Sequence, residues 1–173
     1  MRRITLITGG EKSGKSSYAL SLTAPYAKKA FIATAEAFDG EMRERITKHQ
    51  RERDESFLTI EEPLDLAGAL RAVPAHVEVA VIDCLTVWMG NLLHRHGMVT
   101  EEFAEVSAFI EALKQPRCDL IVVTNEVGMG IIPQNDMARR FRYLAGMLNQ
   151  EVGRLAGHAV LMVSGIPLII KGE

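Results

Sequence analysis

The chain has 173 residues, a length that suits one ordinary domain and removes roughly two thirds of the unfolded chain's surface from water. Apolar residues make up 47% and charged residues 24%, which excludes a disordered or collagen-like chain. A formal net charge of -2 leaves no global basic field for nucleic acid and no acidic solvating tail, so any charge chemistry must be local.

Residues 4–8 read as a first buried strand, because the apolar stretch after Met1-Arg2-Arg3 runs straight into glycines and is too short for a signal-peptide core. Residues 15–28 follow with helix-like apolar spacing. A second short strand is expected at 30–34, then a charged helix from Asp39-Gly40 to about Arg53. Residues 59–63 look extended and 64–72 helical. Residues 77–82 are a largely β-branched run closed by Asp83, the pattern of a strand buried on both faces of a parallel sheet, and 120–124 repeat it. Helices are expected at 86–94 and 101–114, with Thr100 as a cap for the second. Asn135 or Asp136 can cap a helix reaching about Leu155, and 159–164 read as a last strand. Alternating strands and helices predict an α/β fold with a mainly parallel central sheet, in one domain over 1–173.

Cys84 and Cys118 lie far apart and lack the close pairing of zinc or redox motifs, so both are expected to pack as small apolar groups in a reducing, cytoplasmic setting. The apolar run 159–170 is broken by Gly165 and Pro167 and falls well short of the roughly 20 residues that span a bilayer. No membrane insertion is expected.

Gly9-Gly10-Glu11-Lys12-Ser13-Gly14-Lys15-Ser16 satisfies GxxxxGK[ST] and sits between a predicted strand and a predicted helix. A glycine-rich turn could merely join the two. Its position and its Lys-Ser ending are what phosphate and metal binding demand: backbone N–H groups curl round phosphate oxygens, Lys15 reaches the β and γ phosphates, and Ser16 ligates Mg²⁺. Asp83, closing a buried strand, would reach that metal directly or through water; the other reading is a surface Asp capping the helix at Thr86. A guanine-reading Asn-Lys-x-Asp is missing after the late strand, where Thr124-Asn125-Glu126-Val127 stands instead, which disfavours a switch GTPase.

On the charged helix, helical spacing sets Met42, Ile46, His49 and Arg53 along one stripe. His49 is then either an inward histidine satisfied by a neighbour or a nucleophile: neutral imidazole can attack phosphorus and carry a nucleotidyl group. Arg45, Lys48 and Arg53 would disfavour imidazolium and could neutralise triphosphate charge.

With these residues in view, the chain resembles the bifunctional adenosylcobinamide kinase and adenosylcobinamide-phosphate guanylyltransferase family of cobalamin assembly. The likeness runs from Ile7 to Ser16 through Phe31-Ile32-Ala33-Thr34-Ala35, Glu41-Met42-Arg43-x-Arg45-Ile46-x-x-His49 and Thr59-x-Glu61. It continues through Asp83-Cys84-Leu85-Thr86 with Asn91, Thr124-Asn125-Glu126-Val127-Gly128-Met129-Gly130-Ile131-x-Pro133, and Val163-Ser164-Gly165-Ile166. The 124–133 block is far more specific than a phosphate loop. Glu11-Lys12 stand where the family usually carries Ala-Arg, and Phe57-Leu58 replace its aromatic before Thr59.

The resemblance implies a P-loop NTPase fold of the RecA-like, three-layer kind, with His49 as the guanylylated histidine and Gly9 to Ser16 on the nucleotide phosphates. It implies further nucleotide contacts at Thr34, Ala35, Glu36, Gln50, Arg51, Glu52, Arg53, Glu61 and Asp83. Glu61 is chemically suited to accept from a guanine N1–H and N2 amine. The implied substrates are ATP or GTP with Mg²⁺ and a corrinoid, adenosylcobinamide and then its phosphate, handled by a homotrimer. Asn125, Glu126, Gly128 and Gly130 could line the corrinoid side or serve as a structural turn. Two rival readings are a small-molecule kinase with Arg139, Arg140 and Arg142 as a closing lid and a structural His49, and a nucleotide-dependent binding module.

Overall fold

The computed structural model describes residues 2–36, 56–97 and 103–172. In chain order they form β1 (Ile4–Gly9), α1 (Lys15–Ser21), β2 (Lys29–Ala33), β3 (Phe57–Glu61), α2 (Leu66–Ala72), β4 (Val79–Asp83) and α3 (Leu85–His96). These are followed by α4 (Ala104–Lys114), β5 (Asp119–Val123), α5 (Asp136–Leu155), β6 (His158–Val163) and β7 (Ile166–Lys171). The predicted charged helix over 39–53 and the Thr100 cap lie outside the described residues.

The seven strands form one sheet in the order β3-β2-β4-β5-β1-β6-β7. Every pairing is parallel except β6 with β7, which is antiparallel. Strands covered on both faces need no polar alternation, which is why β1, β4 and β5 read as continuous apolar runs. Alternate residues nevertheless go to different layers. Ile7, Val79, Val81, Ile121, Val123 and Val160 pack with Ala19 of α1. Leu6, Ala80, Ile82, Leu120, Val122 and Ala159 pack under α2 to α5 against Leu66, Trp88, Phe109 and Leu148. Trp88 and Phe109 meet edge to face, their ring centroids 5.1 Å apart. The result is the three-layer α/β/α arrangement expected from the sequence.

α1 stops at Ser21, well short of the expected 28. Ser21 and Thr23 turn their hydroxyls back onto the carbonyls of Tyr18 and Leu20, and Tyr26 N donates to Thr23 O, so the backbone's demand is met by turns. β7 departs further from expectation, because the run 159–170 is a hairpin. Ser164 and Gly165 carry positive φ of 52° and 83°, the two-residue reversal that suits the twist of paired strands. Pro167 fits because β7 is an edge strand, where a missing N–H costs no ladder bond.

Candidate active site

The parallel register brings the predicted site residues to one end of the sheet. Glu61 pairs with Ala33, Ala33 with Asp83, Asp83 with Val123, and Val123 with Ile7. One row thus crosses β3, β2, β4, β5 and β1, and the chain leaves each strand just beyond it. Open α/β sheets bind ligands at these carboxyl ends.

The phosphate loop closes over the end of β1. Gly9 and Gly14 hold φ of 147° and 96°, open to glycine and strained for other residues. At Gly9 a Cβ would also lie 2.4 Å from Met162 O. Lys12 takes φ 53°, and Ser13 N donates to Gly10 O at 3.3 Å. The β6–β7 turn forms the rear wall: Gly165 N donates to Ser13 O at 2.9 Å, and a Cβ on Gly14 would come within 3.3 Å of Gly165 Cα. From the other side Glu126 N donates to Gly9 O at 3.1 Å. Gly14, the N-cap of α1, brings no side-chain cap, so the helix start meets the loop with backbone N–H groups alone.

Lys15 is only 7% exposed. Its Nζ donates to Gly10 O at 2.6 Å and lies 3.5 Å from Ser13 Oγ. Burial lowers its pKa from the ordinary 10.5, opposed by the negative charge of Asp83 and Glu11. Asp83 and Lys15 thus feel each other's charge across this end of the sheet. For a magnesium ion carried on a triphosphate, the Ser16 hydroxyl and the Asp83 carboxylate are a suitable hard-oxygen pair, since such an ion keeps its phosphate and water ligands. Among the described residues no group of three or more His, Cys, Asp and Glu side chains gathers to hold a metal unaided. Desolvation pushes the Cys84 thiol up to about 12 and the Cys118 thiol up to about 11, so both behave as the small apolar groups expected.

Thr34 is fully buried and clamps the neighbouring strand. Its hydroxyl donates to Cys84 O at 2.9 Å and accepts from Cys84 N at 2.8 Å. Asn91 on α3 donates to Thr34 O at 2.8 Å and to Pro63 O at 3.1 Å, tying the ends of β2 and β4 to the segment after β3. The side chain of Thr34 is thus committed to protein, and Ala35 and Glu36, half-buried just past it, remain beside the row. Glu61 stands exposed at the end of edge strand β3. His49, Gln50, Arg51, Glu52 and Arg53 lie outside the described residues.

The segment after β5 hangs from α5. Arg142 donates to Gly130 O at 3.0 Å, to Ile131 O at 3.1 Å and to Gly128 O. Asn149, seven residues on and hence on the same helix face, reaches Thr124 and Asn125. Glu126 Oε1 accepts from Gly128 N at 2.7 Å, so Gly128 and Gly130 belong to a braced turn. Arg142 and Arg139 are both bonded to carbonyls of this segment and brace the turn. Sequence reasoning did not find Asn149, and its spacing from Arg142 is the signal that could have.

A parallel sheet with one strand between the phosphate loop and the strand-ending carboxylate, a buried loop lysine and a Ser-Asp oxygen pair define a P-loop NTPase. The chain aligns with the RadB recombinase structure at a TM-score of 0.52 and 16% identity, covering 92% of this chain and 73% of that one, a likeness of fold. A family model described as "Cobinamide kinase / cobinamide phosphate guanyltransferase" matches residues 5–170, and the chain belongs to that family of enzymes. It is 38% identical to the bifunctional adenosylcobalamin biosynthesis protein CobP of Pseudomonas aeruginosa, over 97% of both chains. It is 36% identical to the bifunctional adenosylcobalamin biosynthesis protein CobU of Escherichia coli, over 96% of this chain and 98% of that protein.

Proposed function

We propose that this protein phosphorylates adenosylcobinamide with ATP or GTP and then, through a guanylyl-histidine at His49, transfers GMP from GTP to give adenosylcobinamide-GDP. Family membership supports the pair of activities, and the observation that carries the nucleotide chemistry is Lys15, buried and held at the mouth of the loop beside Asp83. In the first step the corrinoid hydroxyl oxygen bonds to the terminal phosphorus. The diphosphate leaves with the electron pair of the broken bond, and the hydroxyl proton passes to water. Lys15 and the backbone N–H groups of the loop meet charge that grows on the phosphate oxygens. A magnesium ion on Ser16 and Asp83 would supply further positive charge there. In the second activity an imidazole nitrogen of His49 bonds to the α-phosphorus of GTP as pyrophosphate leaves. The corrinoid phosphate then takes the GMP and restores the imidazole.

Thr34, Ala35, Glu36, Gln50, Arg51, Glu52, Arg53 and Glu61 complete the proposed nucleotide site. Thr34 contributes by holding this end of the sheet in place, its hydroxyl being engaged on Cys84, its carbonyl on Asn91 and its N–H on Asp83 O. The reading also includes a cytoplasmic homotrimer. No helix among the described residues is long and apolar enough to cross a membrane. Ile166, Leu168, Ile169 and Ile170 are exposed on the outer strand β7, an apolar edge that supports association of copies.

The test is incubation with Mg²⁺ and GTP labelled at the α-phosphate, followed by intact mass of the parent and a His49→Ala variant. The expected result is one acid-labile GMP on the parent and none on the variant. A parent that binds GTP tightly and forms no adduct would leave a kinase alone.

A further inference from the structure

The hydrogen-bond ladder between β5 and β1 continues past the end of β5, along the last residues of β1. Thr124 N donates to Ile7 O at 2.9 Å and Glu126 N to Gly9 O at 3.1 Å, so residues 124–126 keep the extended course of β5 as far as the first glycine of the loop. In a parallel strand successive N–H groups serve opposite neighbours. Asn125 N accordingly points to the side of β4, which has already ended, and there Thr86 Oγ1 accepts from it at 2.7 Å. A threonine on α3 thus takes the place of a missing strand carbonyl.

The same cluster closes on itself. Asn149 Nδ2 donates to Asn125 O at 3.1 Å, and Thr124 Oγ1 donates to Asn149 Oδ1 at 2.8 Å. Thr124 has one hydroxyl proton and has committed it, so across the 3.2 Å contact Thr86 is the donor. Thr86 and Thr124 are 9% and 1% exposed. Both hydroxyl protons of the ring are assigned, and both main-chain groups of Asn125 are fixed by it.

The Asn125 side chain has no such duty. Val123 belongs to the layer covered by α1, and the strand pleat returns Asn125, two residues on, to that face. It is the face of Lys15 and Asp83, and β5 lies between their strands. Among the described residues the half-buried Asn125 carboxamide makes no hydrogen bond. A rigid main chain carrying an unengaged two-donor group beside a phosphate loop is how a neutral contact to a ligand is built.

We propose that Asn125 is a further catalytic residue, its Nδ2 donating to the terminal phosphate of the bound triphosphate, and that Asn149 is the positioning residue that holds it there. This rests on the kinase half of the proposed function and assigns that half a contact on the transferred group. Asn125 moves no proton; it stabilises charge on a nonbridging oxygen as the bond to the diphosphate breaks.

The experiment compares the parent with Asn125→Ala, Asn125→Ser, Asn149→Leu and the Asn125→Ala/Asn149→Leu pair. Two readouts are taken: transfer of labelled γ-phosphate from ATP to a cobinamide acceptor, and affinity for ADP against a β,γ-imido triphosphate. Asn125→Ala is expected to lower kcat about 100-fold. It should weaken the imido triphosphate about 10-fold and leave ADP within about two-fold, a split that loss of structure would not produce. Asn149→Leu should lower kcat about 10-fold and add nothing in the Asn125→Ala background. Transfer by both Asn125 variants at the parent's rate, or equal weakening of ADP and triphosphate, overturns the proposal. A parent that transfers no phosphate to the corrinoid overturns the kinase reading instead, and the two affinities still decide whether Asn125 touches the terminal phosphate.

Discussion

The two ends of the sheet are built on opposite rules. At the amino ends of the strands, polar groups are stitched to one another. Tyr26 donates to Asp119 Oδ2 at 2.8 Å and Arg3 N to Asp119 Oδ1 at 2.9 Å. Glu78 Oε2 accepts from Ala27 N at 2.7 Å and Lys28 N at 2.9 Å, and Arg117 donates to Arg71 O at 2.8 Å. At the carboxyl ends the bonding is just as dense on the α3 and α5 side, through Thr34, Asn91, Thr86 and Asn149. On the α1 side the chain instead turns through positive φ, and among the described residues the buried Lys15 ammonium hydrogen-bonds to its own loop. One end spends its polar groups on holding the sheet. The other uses one layer to hold and leaves the opposite layer for a ligand.

The largest expected break in that contrast is Lys15→Met, which should lower triphosphate affinity by about 100-fold, on the order of 2.7 kcal/mol, while the nucleotide-free fold survives thermal unfolding. Titration calorimetry beside a melting curve checks both halves.

Next, Asp119→Ala removes the acceptor of two bonds at the amino end and should cost about 2 kcal/mol of stability, with kcat unchanged. Urea unfolding together with the transfer assay tests it, and a loss of activity without loss of stability would count against the division.

pH separates the two ends by sign. Burial lowers the folded-state pKa of Lys15 below 10.5. As pH rises towards 10.5 the folded form releases that proton before the unfolded one, and stability climbs. Tyr26 is raised above 10.0 by burial and by its bond to Asp119; its contribution is fully present below 10.0 and is lost as pH rises through the higher folded value. Melting temperatures between pH 8 and pH 11 should therefore show Lys15→Met lacking the rise and Tyr26→Phe lacking the fall.

The phosphate loop and most of the central strands were legible because they are local: a loop motif, and apolar runs closed by Asp83 or Thr124. β7 was not: Gly165 and Pro167 mark a break in the apolar run 159–170, but a break does not say that the second half pairs back on the first, which the pairing of Met162 with Pro167 shows. The end of α1 was missed for a related reason, since apolar residues up to Tyr26 face the core from turns as well as from a helix. Thr34 was placed at the site by resemblance, yet its hydroxyl is bonded to a residue 50 positions away, and no pattern along the chain records such a partner. Asn149 was hidden in the same way, on a helix whose periodicity announces only its packing.

One feature of the sheet governs how the protein comes into being. β1 carries the phosphate loop, but its neighbours are β5 and β6, with Ile4 beside Leu120 and Thr5 beside His158. In a growing chain the loop that follows β1 is therefore made well before the strands that flank β1 in the sheet. Until residues near 120 and then near 160 arrive, β1 has an unpaired edge on each side, the condition that invites aggregation and slows folding through long-range closure.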